Sequence, residues 1–196
     1  MIDVTILCGG YGTRLAGLWD GPKALVPLGD GTPIIVHLLR RAWALRPASI
    51  TLLTGYGHDA IVQSLRREAM LHPRLLVMHS EPAGTAAAIR QMQTPAASLL
   101  VLNGDTLPRY DLKDIADTWR AERVDIFTAW CGGKHAGATV LSENALTSLC
   151  ASAEPDLDVW RAGAQLNGEA FVSVRGFLDV GTPEGFALAR KWTEGL

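Results

Sequence analysis

The sequence predicts an α/β fold, a mostly parallel mixed sheet with helices on both faces. Three features point to it. Short apolar, β-rich runs alternate with helical stretches of about a dozen residues, the rhythm of stacked βαβ units. Several runs are apolar at nearly every position, as strands covered on both sides must be. The runs end in glycine- or aspartate-bearing loops, where open parallel sheets place their ligands.

Residues 2–8 form the first expected strand, which feeds Gly9, Gly10 and Gly12 and a polar loop reaching to about Pro27. A helix should start at Thr32 as N-cap with Pro33 in the first helical position, because Ile35, Leu38, Leu39, Ala42 and Leu45 recur on one face. Residues 49–54 read as a strand, 58–71 as a helix with Ile61, Val62, Leu65 and Ala69 inward, and 75–79 as a third strand. Residues 84–92 look helical, 98–102 form a strand ending at Asn103-Gly104-Asp105, and Asp111 caps a helix to about Glu122 with Asp114 in its first turn. Strands at 124–129, 138–141 and 171–174 and a closing helix at 183–192 complete the pattern. Residues 131–137 break the rhythm, but no repeat, low-complexity tract or linker divides the chain, so one domain over 1–196 is expected.

Composition narrows the function. With 48% hydrophobic and 19% charged residues and a net charge of −2, the chain is globular rather than disordered. The absence of any basic run argues against binding nucleic acid through bulk charge. The longest stretch without Asp, Glu, Lys or Arg, 91–104, is interrupted by Pro95 and polar residues, so no membrane span is expected. The first eight residues carry Asp3 and no basic region, which points to the cytoplasm. Cys8, Cys131 and Cys150 lack metal-ligand spacing and are odd in number, so neither a zinc site nor a disulfide framework follows.

The chemistry concentrates in the loops. In Gly9-Gly10-Tyr11-Gly12-Thr13-Arg14-Leu15, glycines directly after a strand let backbone N–H groups approach an anion. Leu15 stands where the dinucleotide fingerprint needs glycine, and Lys23 follows Pro22 rather than a glycine, so neither that fingerprint nor the NTPase phosphate loop is present. Arg14 and Lys23 supply two cations for phosphate oxygens. Asp105 and Asp179 each follow an apolar run, and a carboxylate pair beside phosphates suits Mg²⁺. Among the remaining polar residues, His37 reads as a core-edge residue, His135 as a neighbour of any ligand near Gly137, and Trp19 as part of a lid or interface.

Together these motifs resemble those of the sugar-1-phosphate nucleotidyltransferases, nearest the mannose- and heptose-1-phosphate guanylyltransferase branch. The glycine loop with Pro22-Lys23 matches the signature loop, Leu53-Thr54-Gly55-Tyr56 the second strand end, and Glu81-Pro82-Ala83-Gly84-Thr85-Ala86-Ala87-Ala88-Ile89-Arg90 the base-binding stretch. Asn103-Gly104-Asp105 and Phe177-Leu178-Asp179-Val180-Gly181-Thr182-Pro183-Glu184 resemble the two metal motifs. The resemblance implies a single-domain Rossmann-like nucleotidyltransferase fold that converts NTP and sugar 1-phosphate to NDP-sugar and pyrophosphate with Mg²⁺, and it allows a homodimer. It assigns the triphosphate cradle to Gly9, Gly10, Gly12 and Thr13, the departing pyrophosphate to Arg14, and the α-phosphate and sugar phosphate to Lys23. Glu81 and Gly84 would flank the base, Asp105 and Asp179 would hold Mg²⁺, and Asn103, Gly137 and Asp156 would meet the sugar phosphate.

The chain also departs from that pattern. The loop between Leu15 and Pro22 is one residue short, and Cys8 replaces a more usual alanine. Between Trp130 and Gly137 a strand pair bearing a sugar-phosphate lysine is missing, so either Lys134 substitutes for it or the sugar side is rebuilt. Two other readings remain at this point. One is a molybdenum-cofactor guanylyltransferase, which Gly12-Thr13-Arg14-Leu15 and the 177–183 motif oppose. The other is a non-catalytic nucleotide or NDP-sugar binding module, which retention of both cations and both carboxylates opposes.

Overall fold

In the computed structural model, which describes residues 2–81, 83–92 and 97–191, the first half of the chain forms the expected alternation. β1 (Asp3–Cys8), α1 (Ile34–Ala44), β2 (Ile50–Thr54), α2 (His58–Arg67), β3 (Leu75–His79), α3 (Thr85–Arg90) and β4 (Ser98–Asn103) follow one another. The second half is denser: β5 (Thr106–Pro108), α4 (Leu112–Glu122), β6 (Ile126–Cys131), β7 (Lys134–Ser142), α5 (Glu143–Ala151), α6 (Leu157–Gly163), β8 (Glu169–Ser173), β9 (Phe177–Asp179) and α7 (Pro183–Ala189). Pro82, Pro95 and Trp192 lie outside the described residues.

Seven strands form one sheet in the order β3-β2-β1-β4-β7-β6-β8, and β5 pairs with β9 in a separate ribbon. Only β7 runs against its neighbours in the large sheet, so the mostly parallel mixed sheet is the one expected. One face packs Val4, Ile6, Ile35, Leu38, Leu102 and Phe127 beneath α1 and α4. The other packs Leu53, Val101, Ile126, Leu141, Leu149 and Trp160 beneath α3, α5 and α6. Both faces are covered, which explains why β2 is buried at every position.

Several expectations are corrected. Pro33 is itself the N-cap of α1, and Thr32 instead donates its backbone N–H to Asp30 Oδ1 at 2.9 Å. The break in rhythm at 131–137 is a β-hairpin. Gly132 and Gly133, at φ 57° and 77°, turn β6 straight into β7, as two-residue hairpins with right-handed twist require. Two helices escaped notice, α5 capped by Ser142, which accepts from Ala145 N, and α6 capped by Asp156, which accepts from Asp158 N and Val159 N. The β5–β9 ribbon was also unanticipated, because each strand has only three residues.

Candidate active site

The carboxyl ends of β1, β2 and β4 open onto a cavity of about 440 Å³. Gly9, Gly10, Tyr11, Lys23, Glu81, Gly84, Asn103 and Asp105 all line it, so the structure assembles most of the predicted nucleotide side in one place. Cys8 lies on its wall, where burial first and the Asp105 carboxylate second push the thiol pKa up. Its environment is that of an inert buried cysteine.

Local chain geometry sets the glycine loop. Gly12, at φ 71°, starts a single 3-10 turn, Thr13–Leu15, and an added Cβ there would lie 2.9 Å from Lys23 Cγ. Trp19 folds under the loop, donates from Nε1 to Pro22 O at 3.1 Å and packs against Phe186 of α7. It braces the loop from below. Pro22 in turn abuts Gly57 at the start of α2.

The charged groups meet at one point. The β5–β9 ribbon pairs Thr106 with Asp179, and Val180 donates its N–H to Asp105 O at 2.9 Å, which sets the two aspartates side by side. A Cβ on Gly181 would lie 2.8 Å from Asp105 Oδ2, 3.0 Å from Asp179 Oδ1 and 3.1 Å from Arg14 Nη2. Two carboxylates and a guanidinium therefore surround the same small space. Lys23 Nζ donates to Asp105 Oδ2, and Gly181 N–H donates to Asp179 Oδ1 at 2.8 Å. Among the described residues no group of three or more His, Cys, Asp or Glu could hold a metal ion. Two hard carboxylates suit Mg²⁺, which takes one or two protein oxygens and completes its shell with phosphate and water.

A second cavity of about 110 Å³ shares Leu7, Thr85 and Asn103 with the first. Asp156 lines it with Asp158, Thr139 and His135, which puts two of the predicted substrate residues, Asn103 and Asp156, on one wall system. Gly137 is buried close by at φ 87°, where a Cβ would strike Thr106. Lys134 is not brought here. It pairs with Cys131 while His135 pairs with Trp130, so its side chain takes the opposite sheet face, exposed, and it lines neither cavity. The expectation that it replaces the missing lysine therefore finds no support in its position. Thr13 and Arg14 are exposed on the rim.

The sequence reading missed Ser80, Thr139 and Asp158 as lining residues. Only alternation along β7, which sets Thr139 on the same face as His135, could have signalled one of them.

The family model described as nucleotidyl transferase matches residues 4–139. A mannose-1-phosphate guanylyltransferase of Mycobacterium tuberculosis is 30% identical over 129 residues, 64% of this chain and 36% of that protein. The bifunctional protein GlmU of Leifsonia xyli subsp. xyli is 32% identical over 146 residues, 72% of this chain and 27% of that protein. The chain spans about a fifth to a third of the length of the curated relatives it matches. The crystal structure of HddC from Yersinia pseudotuberculosis shares the fold, with a TM-score of 0.80 at 24% identity over 97% of this chain and 99% of that one. The same protein complexed with GMP-PN gives a TM-score of 0.80 at 22% identity over the same shares.

Proposed function

Because the chain belongs to the nucleotidyl transferase family, we propose that it transfers a nucleoside monophosphate, from GTP as the leading candidate, to a manno-configured hexose or heptose 1-phosphate. The products are NDP-sugar and pyrophosphate. The observation that carries this reading is the convergence of Arg14, Asp105 and Asp179 around Gly181, with Lys23 on Asp105, at the edge of the glycine-floored cavity. The guanylyl preference draws on the names of the relatives and on the GMP-PN complex of HddC.

In the reaction, a phosphate oxygen of the sugar 1-phosphate forms a bond to the α-phosphorus. The bond from that phosphorus to the bridging oxygen breaks, and its electron pair leaves with pyrophosphate. Such a displacement needs in-line positioning and charge neutralisation rather than a protein nucleophile. Gly10 and Gly12 let the loop backbone close on the triphosphate, and Arg14 on the rim neutralises the leaving pyrophosphate. Lys23 exchanges its carboxylate partner for phosphate oxygens and stabilises the charge that develops on the α-phosphoryl group. Asp105 and Asp179 would hold Mg²⁺, which when bound supplies further neutralisation of the phosphates. Gly84, where α3 starts, and Glu81 form the cavity wall against which the base lies.

A pyrophosphate-release screen of the four common NTPs against a set of sugar 1-phosphates with Mg²⁺ tests the reading. Release that requires both GTP and a manno-configured sugar phosphate is the expected result. Nucleotide binding without release from any pair would leave a binding module instead.

A further inference from the structure

The smaller cavity holds a hydrogen-bond chain that the displacement above does not use. His135 engages both ring nitrogens. Gly137 donates its N–H to Nδ1 at 3.2 Å, which makes Nδ1 the acceptor, so Nε2 carries the proton and donates it to Thr139 Oγ1 at 2.9 Å. Thr139 is 4% exposed and lines the cavity. Having accepted from His135, its hydroxyl keeps its own proton, and among the described residues that proton meets no protein acceptor.

Across the same cavity stand Asp156 and Asp158. Asp156 Oδ1 is occupied as the α6 cap and Asp158 Oδ1 faces Arg161 at 3.3 Å, which leaves the second oxygen of each carboxylate to accept from a ligand. The carboxylates repel a phosphate. On a sugar phosphate, the group that can accept from a threonine hydroxyl and donate to a carboxylate is a ring hydroxyl.

We propose that His135 is a positioning residue that fixes the Thr139 hydroxyl as a donor, and that this cavity selects the sugar phosphate by one ring hydroxyl held between Thr139 and an α6 carboxylate. The inference rests on the sugar-phosphate reading and names the group that sets its specificity. The charged groups facing His135 are Asp156, Asp158 and Arg161 of α6, while β4 and α3 present the uncharged Asn103 and Thr85. Burial chiefly, with Arg161 adding and Asp158 opposing, holds the His135 pKa below its ordinary 6.5, so the ring is neutral at pH 7. Protonation would set a second N–H against Gly137 N–H and break the chain.

The test is steady-state pyrophosphate release with GTP, Mg²⁺ and mannose 1-phosphate or its singly deoxygenated analogues. Thr139→Val should raise KM for the sugar phosphate about 10-fold, the scale of one buried hydrogen bond, and leave KM for GTP within about twofold. Thr139→Ser should restore it, and Thr139→Ala stands in should the valine variant fail to fold. His135→Phe should match Thr139→Val, with the double variant no worse than either single. One deoxy analogue should lose as much in the wild type and nothing more in Thr139→Val. As pH falls through the depressed His135 pKa, wild-type KM for the sugar phosphate should rise more than that of Thr139→Val, in which only the substrate phosphate's own ionisation at about pH 6 still acts. Additive losses, or a KM for the sugar phosphate unchanged by Thr139→Val, overturn this inference alone, as does a ¹⁵N spectrum showing His135 protonated on Nδ1 at pH 7. Absence of turnover with every NTP and sugar phosphate pair overturns the function and this inference with it.

Discussion

At the scale of single residues, the proposed reaction would have the two cations by the glycine loop divide the work according to when their partners carry charge. Lys23 pairs with Asp105, where the proposal puts the displacement, whereas Arg14 is exposed on the rim, where the triphosphate would arrive already charged. Lys23→Ala should therefore lower kcat more than it raises KM for NTP, and Arg14→Ala should raise that KM as well. KM-only effects of equal size in both variants would remove the distinction. Asp105→Asn and Asp179→Asn should each cost about 100-fold or more in turnover, the scale of one lost electrostatic contact in the transition state. Their melting temperatures should stay near wild type, and full activity of either variant, or of the wild type in EDTA, would contradict the metal role. Lys134→Ala, on the far sheet face, should change KM for sugar 1-phosphate by less than about twofold, within the spread of exposed substitutions.

At the scale of elements, Asp125 ties the second half of the sheet together. It is 7% exposed and accepts from Ser142 Oγ at 2.6 Å, Asn144 Nδ2 at 2.7 Å and Asn167 N at 2.8 Å, joining β6 to the start of α5 and to the chain before β8. Burial alone would raise its pKa, but these three hydrogen bonds together outweigh burial and hold it below 3.8. A carboxylate so depressed contributes stability above its unfolded pKa and loses it as pH falls through the folded value, a window below about pH 4. Asp125→Ala should cost about 3 kcal/mol in urea unfolding at pH 7, with the gap to wild type narrowing in acid. The sequence made β1 to β4 and their helices legible because apolar periodicity there is strong. The glycine loop and both aspartates were legible for a different reason, since each ends a buried run. α5 and α6 were hidden because their signal lies in the caps Ser142 and Asp156 rather than in a long apolar face, and Asp156 read as a contact to the sugar phosphate rather than as a helix cap. Thr139 was hidden because alternation along β7 sets it on the face of His135 but does not encode the hydrogen bond between them.

At the scale of the whole molecule, a ligand that bridges the glycine loop, Asp105 and Asp179 couples distant parts of the chain, so binding should show in global stability. GTP with Mg²⁺ at about 100 times its dissociation constant should add about 2.7 kcal/mol, or roughly 5–10 °C in Tm for a chain of this size. The shift should shrink on adding EDTA and in Asp179→Asn. Among the described residues no helix is long and apolar enough to cross a membrane. The β5–β9 ribbon has a further consequence in time. Asp179 emerges from the ribosome roughly seventy residues after Asp105, several seconds later at about 10 residues per second. A nascent chain can thus close its glycine loop around the first four strands while the Asp105–Asp179 pair proposed to hold Mg²⁺ is still half made. Until β9 docks, such a chain has the glycine-floored cavity but only one of the two carboxylates, and competence for the proposed reaction waits on β9 rather than on the glycine loop.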